Sequence, residues 1–548
     1  MAGKNAHRIS RREFLQVSAM ASASLVAAAC AVPAAGPASQ APAPEAAAAT
    51  ESMIKRGGPT LIARQQPPKI LDAHLDTGPH TQFWGQIHDS LLHHRLVDPE
   101  TGTFELAGAL AESWERDGDT AWIFHLREGV KFHDGSDWNA DVAQWNLLRM
   151  RDHPQSVAKD VVAEIESIDS LDSHSIRVNL TATNAAFPHL MAYPASNGRT
   201  RIISKQAVEE MGDDGYAQHP VGTGPFKFVE WVKDDHITVE RFDGYWQDGE
   251  DGQSLPYLDS IRFDMLTDYT VAFLRLRSGD MHLSDIDPKD WTSAQNDSNL
   301  MNFPVTWAPT TYALGLNAQE GKFADNIPLR KALAHAIPYD DLTNALGLGL
   351  GFRSKHFWPQ GGLGYDDALP YYDYNPDKAK ELLNEAGYPD GVDLVMLQFN
   401  RSQDLRTGQG VQAAVRELGI RIELDVVDVV RWREAARTGE GWDLNHNTRG
   451  WSPDPSGQRQ QLLTTGYGNF VRSTNTEIDD LMAKGQETFD PNERHEIYRQ
   501  IQEMVYEDAL WLFIYAIPKA LIFPKELSGV SVEWSAWSWN GASLHWTS

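Results

Sequence analysis

Cysteine is almost missing: the 548-residue chain has one, Cys30. An internal disulfide needs two, so the fold must hold together by packing alone, inside or outside the cell. Basic residues are scarce beside acidic ones, 48 Lys and Arg against 76 Asp and Glu, which leaves a net charge of −28. A field of that sign repels phosphate backbones and anionic lipid surfaces and excludes nucleic acid as a partner. Long apolar runs are missing too. Val17–Ala29 carries no charge, but it is too short and too weakly apolar for a membrane span. Catalytic motifs are absent or broken. There is no Gly-x-Ser-x-Gly, and His495-Glu496 lacks the second His of a zinc hydrolase. Gly315–Lys322 is misspaced for a phosphate loop, and Gly347–Gly351 lacks the dinucleotide spacing. No enzyme and no cofactor is expected.

What is present begins with an address. Lys4, Arg8, Arg11 and Arg12 against Glu13 make the segment before Cys30 +3 and leave −31 for the remainder. A basic start, an uncharged stretch rich in Ala, Ser, Leu and Val, and small residues at its end are the three parts of a secretory signal. Ser10–Gln16, with Arg11 and Arg12 followed by Phe14 and Leu15, resembles the twin-arginine export signal. Ala27-Ala28-Ala29-Cys30 is similar to a lipobox, with Ala27 where Leu is usual and Leu25 two places early. Ala31–Thr50, nearly all Ala, Pro, Ser and Gly with Glu45 as its single charge, cannot form a core and reads as a partly stiff tether. A tether makes physical sense if Cys30 carries a lipid anchor; the alternative is cleavage at an Ala-x-Ala site and release. The expected segments are a signal over residues 1–30 and a tether over 31–56.

From Gly57 the chain alternates strand-like and helix-like runs without a linker or repeat. Trp122–Leu126 and Ile176–Leu180 alternate inward and outward residues, and Pro376–Leu383 opens with Pro as a helix does. The class is mixed α/β, and the length calls for more than one core. Asp117-Gly118 and Asp134-Gly135 are turn chemistry, and Gly222-Thr223-Gly224-Pro225 reads as a tight turn using the freedom of Gly at positive φ.

"LAESWERDGDTAWIFHLREGVKFHDGSDWNADVAQWNLLR" (Leu110–Arg149) closely resembles the signature region of the family 5 extracellular solute-binding proteins, the peptide- and nickel-type receptors of ABC importers. "PVGTGPFKFVEW" (Pro220–Trp231), "LRLRSGDMHL" (Leu274–Leu283), "PLRKALAHAIPYDDL" (Pro328–Leu342) and "YDYNPDKAKELLNEAGYPDG" (Tyr372–Gly391) follow in family order. The resemblance implies a two-lobed periplasmic-binding-protein fold of the large, class II type. The first lobe would comprise residues 57–305 and 522–548, with an inserted subdomain over about 88–205, and the second 306–521. Two crossing segments would lie near Phe303–Tyr312 and Tyr515–Pro524. It implies an extracytoplasmic, monomeric carrier that captures a small organic solute, above all an oligopeptide, closes around it and delivers it to the membrane subunits of an ABC permease. Membrane contact would be through the lipid anchor only. A carbohydrate carrier is the nearest rival, and an extracytoplasmic hydrolase the rival of another class.

The same resemblance nominates site residues. In "TRGWSPDPSGQ" (Thr448–Gln458), Trp451 precedes Asp454 by three residues, the spacing at which peptide-binding relatives place an Asp that receives the ligand ammonium. Pro453 and Pro455 flank Asp454, so a turn-forming role stays open. Arg449 either holds a ligand carboxylate with its planar fork or forms a surface ion pair. Trp307 and Tyr515 are placed at the crossings, where aromatic faces cover peptide side chains or sugars. His74, His80, His88, His93 and His94 cluster in sequence. Their spacing does not set His88 and His93 on one helix face, so no metal is expected.

Overall fold

A computed structural model describes residues 54–547 apart from 65–66, 77–80, 99–101, 194–198, 451, 453 and 533–538. The export signal, Cys30 and the expected tether up to residue 53 lie outside the described residues, as do His80 and Trp451; the tether's expected last residues are folded, Ile54 and Lys55 pairing with Thr547 and Trp546 and Arg56 bonding Asp251. Residues 52–548 form one compact unit.

Two long strands run through the middle of this unit. Leu300–Leu316 and Trp511–Pro524 pair antiparallel, from Leu300 opposite Pro524 to Gly315 opposite Trp511, with register shifts at Val305/Thr310 and Tyr312/Ala313. They contain the two segments expected to cross between lobes. Their sheet continues through Leu444–Arg449, Val392–Phe399 and Ile420–Val427 on one side and Ser284–Asp285 on the other. The three largest apolar cores among the described residues divide the chain. One gathers residues between Ala313 and Ile517. A second joins Ile62, Phe263 and Val305 to Leu521 and Leu544 near the C-terminus. A third lies wholly within Leu91–Ile202. The chain therefore builds a first lobe carrying an insertion, a second lobe, and a return to the first.

Local chemistry sets the elements. Asn139 caps the helix Ala140–Asp152 by accepting from the Val142 amide at 3.1 Å, and Asn375 caps Pro376–Glu385 through the Lys378 amide. In Ala121–Leu126 and Ser175–Leu180 the residues Phe124, Leu126, Ile176, Val178 and Leu180 point into the insertion's core. The glycines of Gly222-Thr223-Gly224 serve a different end from the one expected. Neither has positive φ; a Cβ on Gly222 would stand 2.1 Å from the Ile87 carbonyl oxygen, and one on Gly224 2.6 Å from the Ile87 carbonyl carbon. Close backbone approach, not turn geometry, demands them. Between the helices Tyr339–Leu346 and Pro376–Glu385, residues 347–375 contain no helix or strand. So long an irregular stretch inside a packed unit marks a functional loop.

Of the sequence cluster of histidines, His74, His88 and His94 are buried. His74 Nε2 meets the Arg201 carbonyl at 2.7 Å, and His88 Nε2 meets the Tyr216 hydroxyl at 3.0 Å. Among the described residues no group of three or more His, Cys, Asp or Glu is arranged to hold a metal ion. Burial holds His74 and His133 down to about 4 and pulls His88, His94 and His189 down as well. In the unfolded chain they take protons near pH 6.5. Their contribution to stability is therefore complete above about pH 6.5 and is lost as the pH falls toward 4. Asp89, pushed up to about 6 by burial, works the other way. Thermal unfolding is expected at a lower temperature at about pH 5 than at about pH 7.5. An equal or higher midpoint at the acidic pH contradicts this account.

Candidate functional site

Two cavities adjoin at Trp307, on the first of the crossing strands. One, of about 420 Å³, lies between the crossing strands and the irregular loop, and its wall includes Thr311, Ala516, Arg353, Lys355, His356 and Asp367. The other, of about 380 Å³, lies between the lobes: His94, Gly102, Phe104, Ala185 and His189 come from the insertion, and Leu363, Asp454, Phe489 and Arg494 from the second lobe. Trp307 and Pro359 belong to both walls. Volumes of this size suit an enclosed small organic ligand.

Trp307 is held from two sides. Its ring meets Phe303 edge-on at 6.1 Å, and a Cβ on Gly102 would stand 2.4 Å from the Trp307 Cβ. Gly102 itself has φ of +72°. Any side chain there is strained and strikes the indole's base, so the hairpin tip fixes Trp307 between the cavities.

The larger cavity has a basic stretch of wall, Arg353–His356, alongside the carboxylate of Asp367. Arg353 bonds Asp373 at 2.8 Å, and the Lys355 ammonium sits 4.0 Å above the Tyr371 ring. His356 is almost fully buried, its Nε2 lacks a hydrogen-bond partner, and burial lowers its pKa to about 4. It is thus neutral at pH 7, as are His94 and His189 in the other cavity, which meet Nε2 to Nδ1 at 3.1 Å with stacked rings. The buried Thr311 hydroxyl also lacks a partner.

Asp454 reaches the smaller cavity, but its carboxylate is already engaged. Arg494 donates to both oxygens, at 2.9 and 3.1 Å, and the Ser456 amide and hydroxyl donate to Oδ1 at 3.0 and 2.6 Å. The side chain caps the short turn Pro455–Gln458. Burial alone would raise its pKa; the Arg494 guanidinium, with smaller help from His189, overrides this and holds the carboxyl far below the usual carboxylate range. These are the contacts of the turn-forming alternative, with a permanent internal cation where a ligand ammonium would sit.

Arg449 and Tyr515 lie away from both walls. The Arg449 guanidinium is buried 3.5 Å from the centre of the Phe357 ring and 4.8 Å from that of Trp511, and only its Nε has a hydrogen-bond partner, Gln461. It is neither at a cavity wall nor in a surface ion pair; burial drives its pKa well down. Tyr515 stacks on Tyr312 at 4.7 Å and its hydroxyl bonds Gln403 and Thr407. Both are packing residues in this structure. Of the five residues nominated from sequence, Trp307 and Asp454 line the cavities, and Trp451 lies outside the described residues. The nomination passed over Arg353, Lys355 and His356. Three basic or imidazole side chains within four residues of a strongly acidic chain was the available signal.

Residues 105–470 match the model of the "Bacterial extracellular solute-binding proteins, family 5 Middle". The chain belongs to this family. Family 5 proteins are solute-binding transport proteins that act outside the cytoplasm. This member is 27% identical over 440 residues to the glutathione-binding protein GsiB of Escherichia coli O1:K1 / APEC, covering 78% of this chain and 83% of that one. It superposes on the periplasmic binding protein DppA from Helicobacter pylori, solved with the peptide STSA, with a TM-score of 0.74 at 24% identity over 90% of this chain and 99% of that one. It also superposes on the oligopeptide-binding protein AppA of Bacillus subtilis, solved with a nonapeptide, with a TM-score of 0.73 at 20% identity over 90% and 100% of the two chains. The two-lobed binding-protein fold follows. Among the described residues no helix is long and apolar enough to cross a membrane.

In this solute-binding protein the Asp454–Arg494 pair is buried on both sides, with about 6% and 7% of the side chains exposed. Asp454→Asn leaves a buried guanidinium uncompensated and is expected to cost about 3–5 kcal/mol of stability. The double change Asp454→Leu with Arg494→Met removes both charges and is expected to recover most of it. Denaturant unfolding of the three proteins measures this, and a stable single variant refutes it. Gly102→Val is expected to displace Trp307 and weaken binding of any ligand in either cavity by tenfold or more, about 1.4 kcal/mol, as titration calorimetry would show.

Proposed function

We propose that this chain captures short peptides or peptide-like solutes in the adjoining cavities at Trp307 and presents them, enclosed, to an ABC permease. The observation that carries the reading is the pair of adjoining cavities at Trp307, one lying between the lobes and the other with Arg353 and Lys355 in its wall. Lys355, standing over the Tyr371 ring in that wall, offers a place for a ligand carboxylate, because a desolvated charge pair strengthens as water leaves. Glutathione and peptides are the named ligands of the relatives, which supports the class. The neutral histidines His94 and His189 and the internally balanced Asp454–Arg494 pair leave the smaller cavity without net charge, suited to the polar and apolar body of the ligand. In this reading Asp454 shapes the wall and does not anchor an ammonium. No reaction is catalysed.

The mechanism is rigid-body closure about the crossing strands, taken here to separate residues 57–305 and 522–548 from 306–521. A ligand favours the closed form by touching both lobes at once. Observed affinity is the gain from those contacts less the cost of closing. Export through Arg11 and Arg12 and acylation at Cys30 would place this monomeric receptor outside the cell membrane, tethered by the segment that precedes Ile54. A tether keeps the receptor at high local concentration near its permease.

Calorimetric titration with free and C-terminally amidated tripeptides tests the carboxylate assignment. Lys355→Ala is expected to weaken the free-acid peptide about tenfold and leave the amide unchanged. Equal affinities of both peptides in both proteins remove the assignment. Binding of neutral oligosaccharides in preference to any peptide overturns the ligand class.

A further inference from the structure

Ala185 of the insertion and Phe489 of the second lobe both line the smaller cavity. Both residues also take part in contacts that join the insertion to the second lobe. The Ala185 amide donates to the Gln486 carbonyl at 2.7 Å. Phe489 packs beside Trp122, ring centres 6.1 Å apart, with the Arg116 guanidinium 4.3 Å from the centre of its ring. Next to them Glu164 of the insertion is a hub. It accepts from Arg459 Nη1 at 2.9 Å and from Gln486 Nε2 at 2.9 and 3.1 Å, all across the lobe boundary. Asn184, on its own side, steadies it at 2.6 Å. Glu164 and Arg459 keep about a quarter and a fifth of their side-chain surface exposed. A seam of charge-assisted bonds reachable by water can open and re-form, whereas the apolar cores on either side cannot part so cheaply.

From this placement we infer that Glu164 is the latch of the cleft, locking the insertion onto the second lobe over solutes that fit within the cavities and discriminating against longer ones. The inference rests on reading the cavities as the ligand site. A solute confined between Trp307 and Phe489 lets the Glu164 bonds form, so its dissociation must wait for them to break. A longer chain has to pass between Ala185 and Phe489 and holds the seam apart, so it gains nothing from Glu164. Glu164 touches no part of the cavity wall, which separates it from residues that recognise the ligand by contact: it acts on the closing equilibrium alone.

The test compares the wild-type protein with Glu164→Gln and, as a second route to the same seam, Gln486→Leu, each first checked for wild-type circular dichroism and thermal unfolding. Small-angle X-ray scattering of the ligand-free proteins is expected to show a larger radius of gyration in both variants. Stopped-flow dissociation is expected to be about tenfold faster for trialanine in the variants and unchanged for hexaalanine. Equal acceleration for both lengths overturns the size discrimination. Unchanged radii together with unchanged rates overturn the latch. If neither peptide binds the wild type, the peptide reading fails while the scattering still decides whether Glu164 holds the lobes together.

Discussion

Everything in this molecule hangs on the antiparallel pairing of Leu300–Leu316 with Trp511–Pro524. These strands are shared: their C-terminal and N-terminal halves, from Ala313 to Leu316 and from Trp511 to Ile517, belong to the core of the second lobe, while Val305 and Leu521 belong to that of the first. A ladder of backbone bonds resists stretching and shear but tolerates twist. The register shifts at Val305/Thr310 and Tyr312/Ala313 interrupt it between the two cores, and irregular pairing concentrates bending where it occurs. Trp307 stands inside the first interruption. The side chain that divides the cavities is thus carried by the part of the backbone best able to move.

How much of this was legible in the sequence depends on whether the signal is local. The caps at Asn139 and Asn375 and the alternation in Ala121–Leu126 are written within a few residues and could be read directly. Trp307 was placed by family order. Arg449 and Tyr515 were misjudged for a common reason: Trp511–Pro524 and Leu444–Arg449 are interior strands buried on both faces, so their sequences do not tell one face from the other. Asp454 was legible as a carboxylate at the right place, but its partner Arg494 is forty residues further on, and no pattern joins them. The basic wall was missed because residues 347–375 have no periodicity to interpret.

The electrostatics divide in the same way. Charges inside the second lobe are settled internally, as in Asp454 with Arg494, or are left stacked on aromatic rings, as in Arg449 over Phe357. A guanidinium face on an aromatic face recovers part of the lost hydration. Such groups hold the lobe as a rigid body and offer nothing to a visitor. The charge left for a visitor stands on the irregular loop at Lys355.

That separation has an evolutionary side. The loop of residues 347–375 is tied to the crossing strands by the bridge between Phe352 and Ala516 and by Phe357 against Trp511 and Phe513, but Arg353 and Lys355 stand outside the apolar cores, so these two can be exchanged while the hinge and the cores stay as they are. Chemical preference and mechanical action are then encoded in different stretches of the gene. A scaffold built like this can drift from one class of solute to another by point changes in a single surface segment, without passing through a receptor that no longer closes.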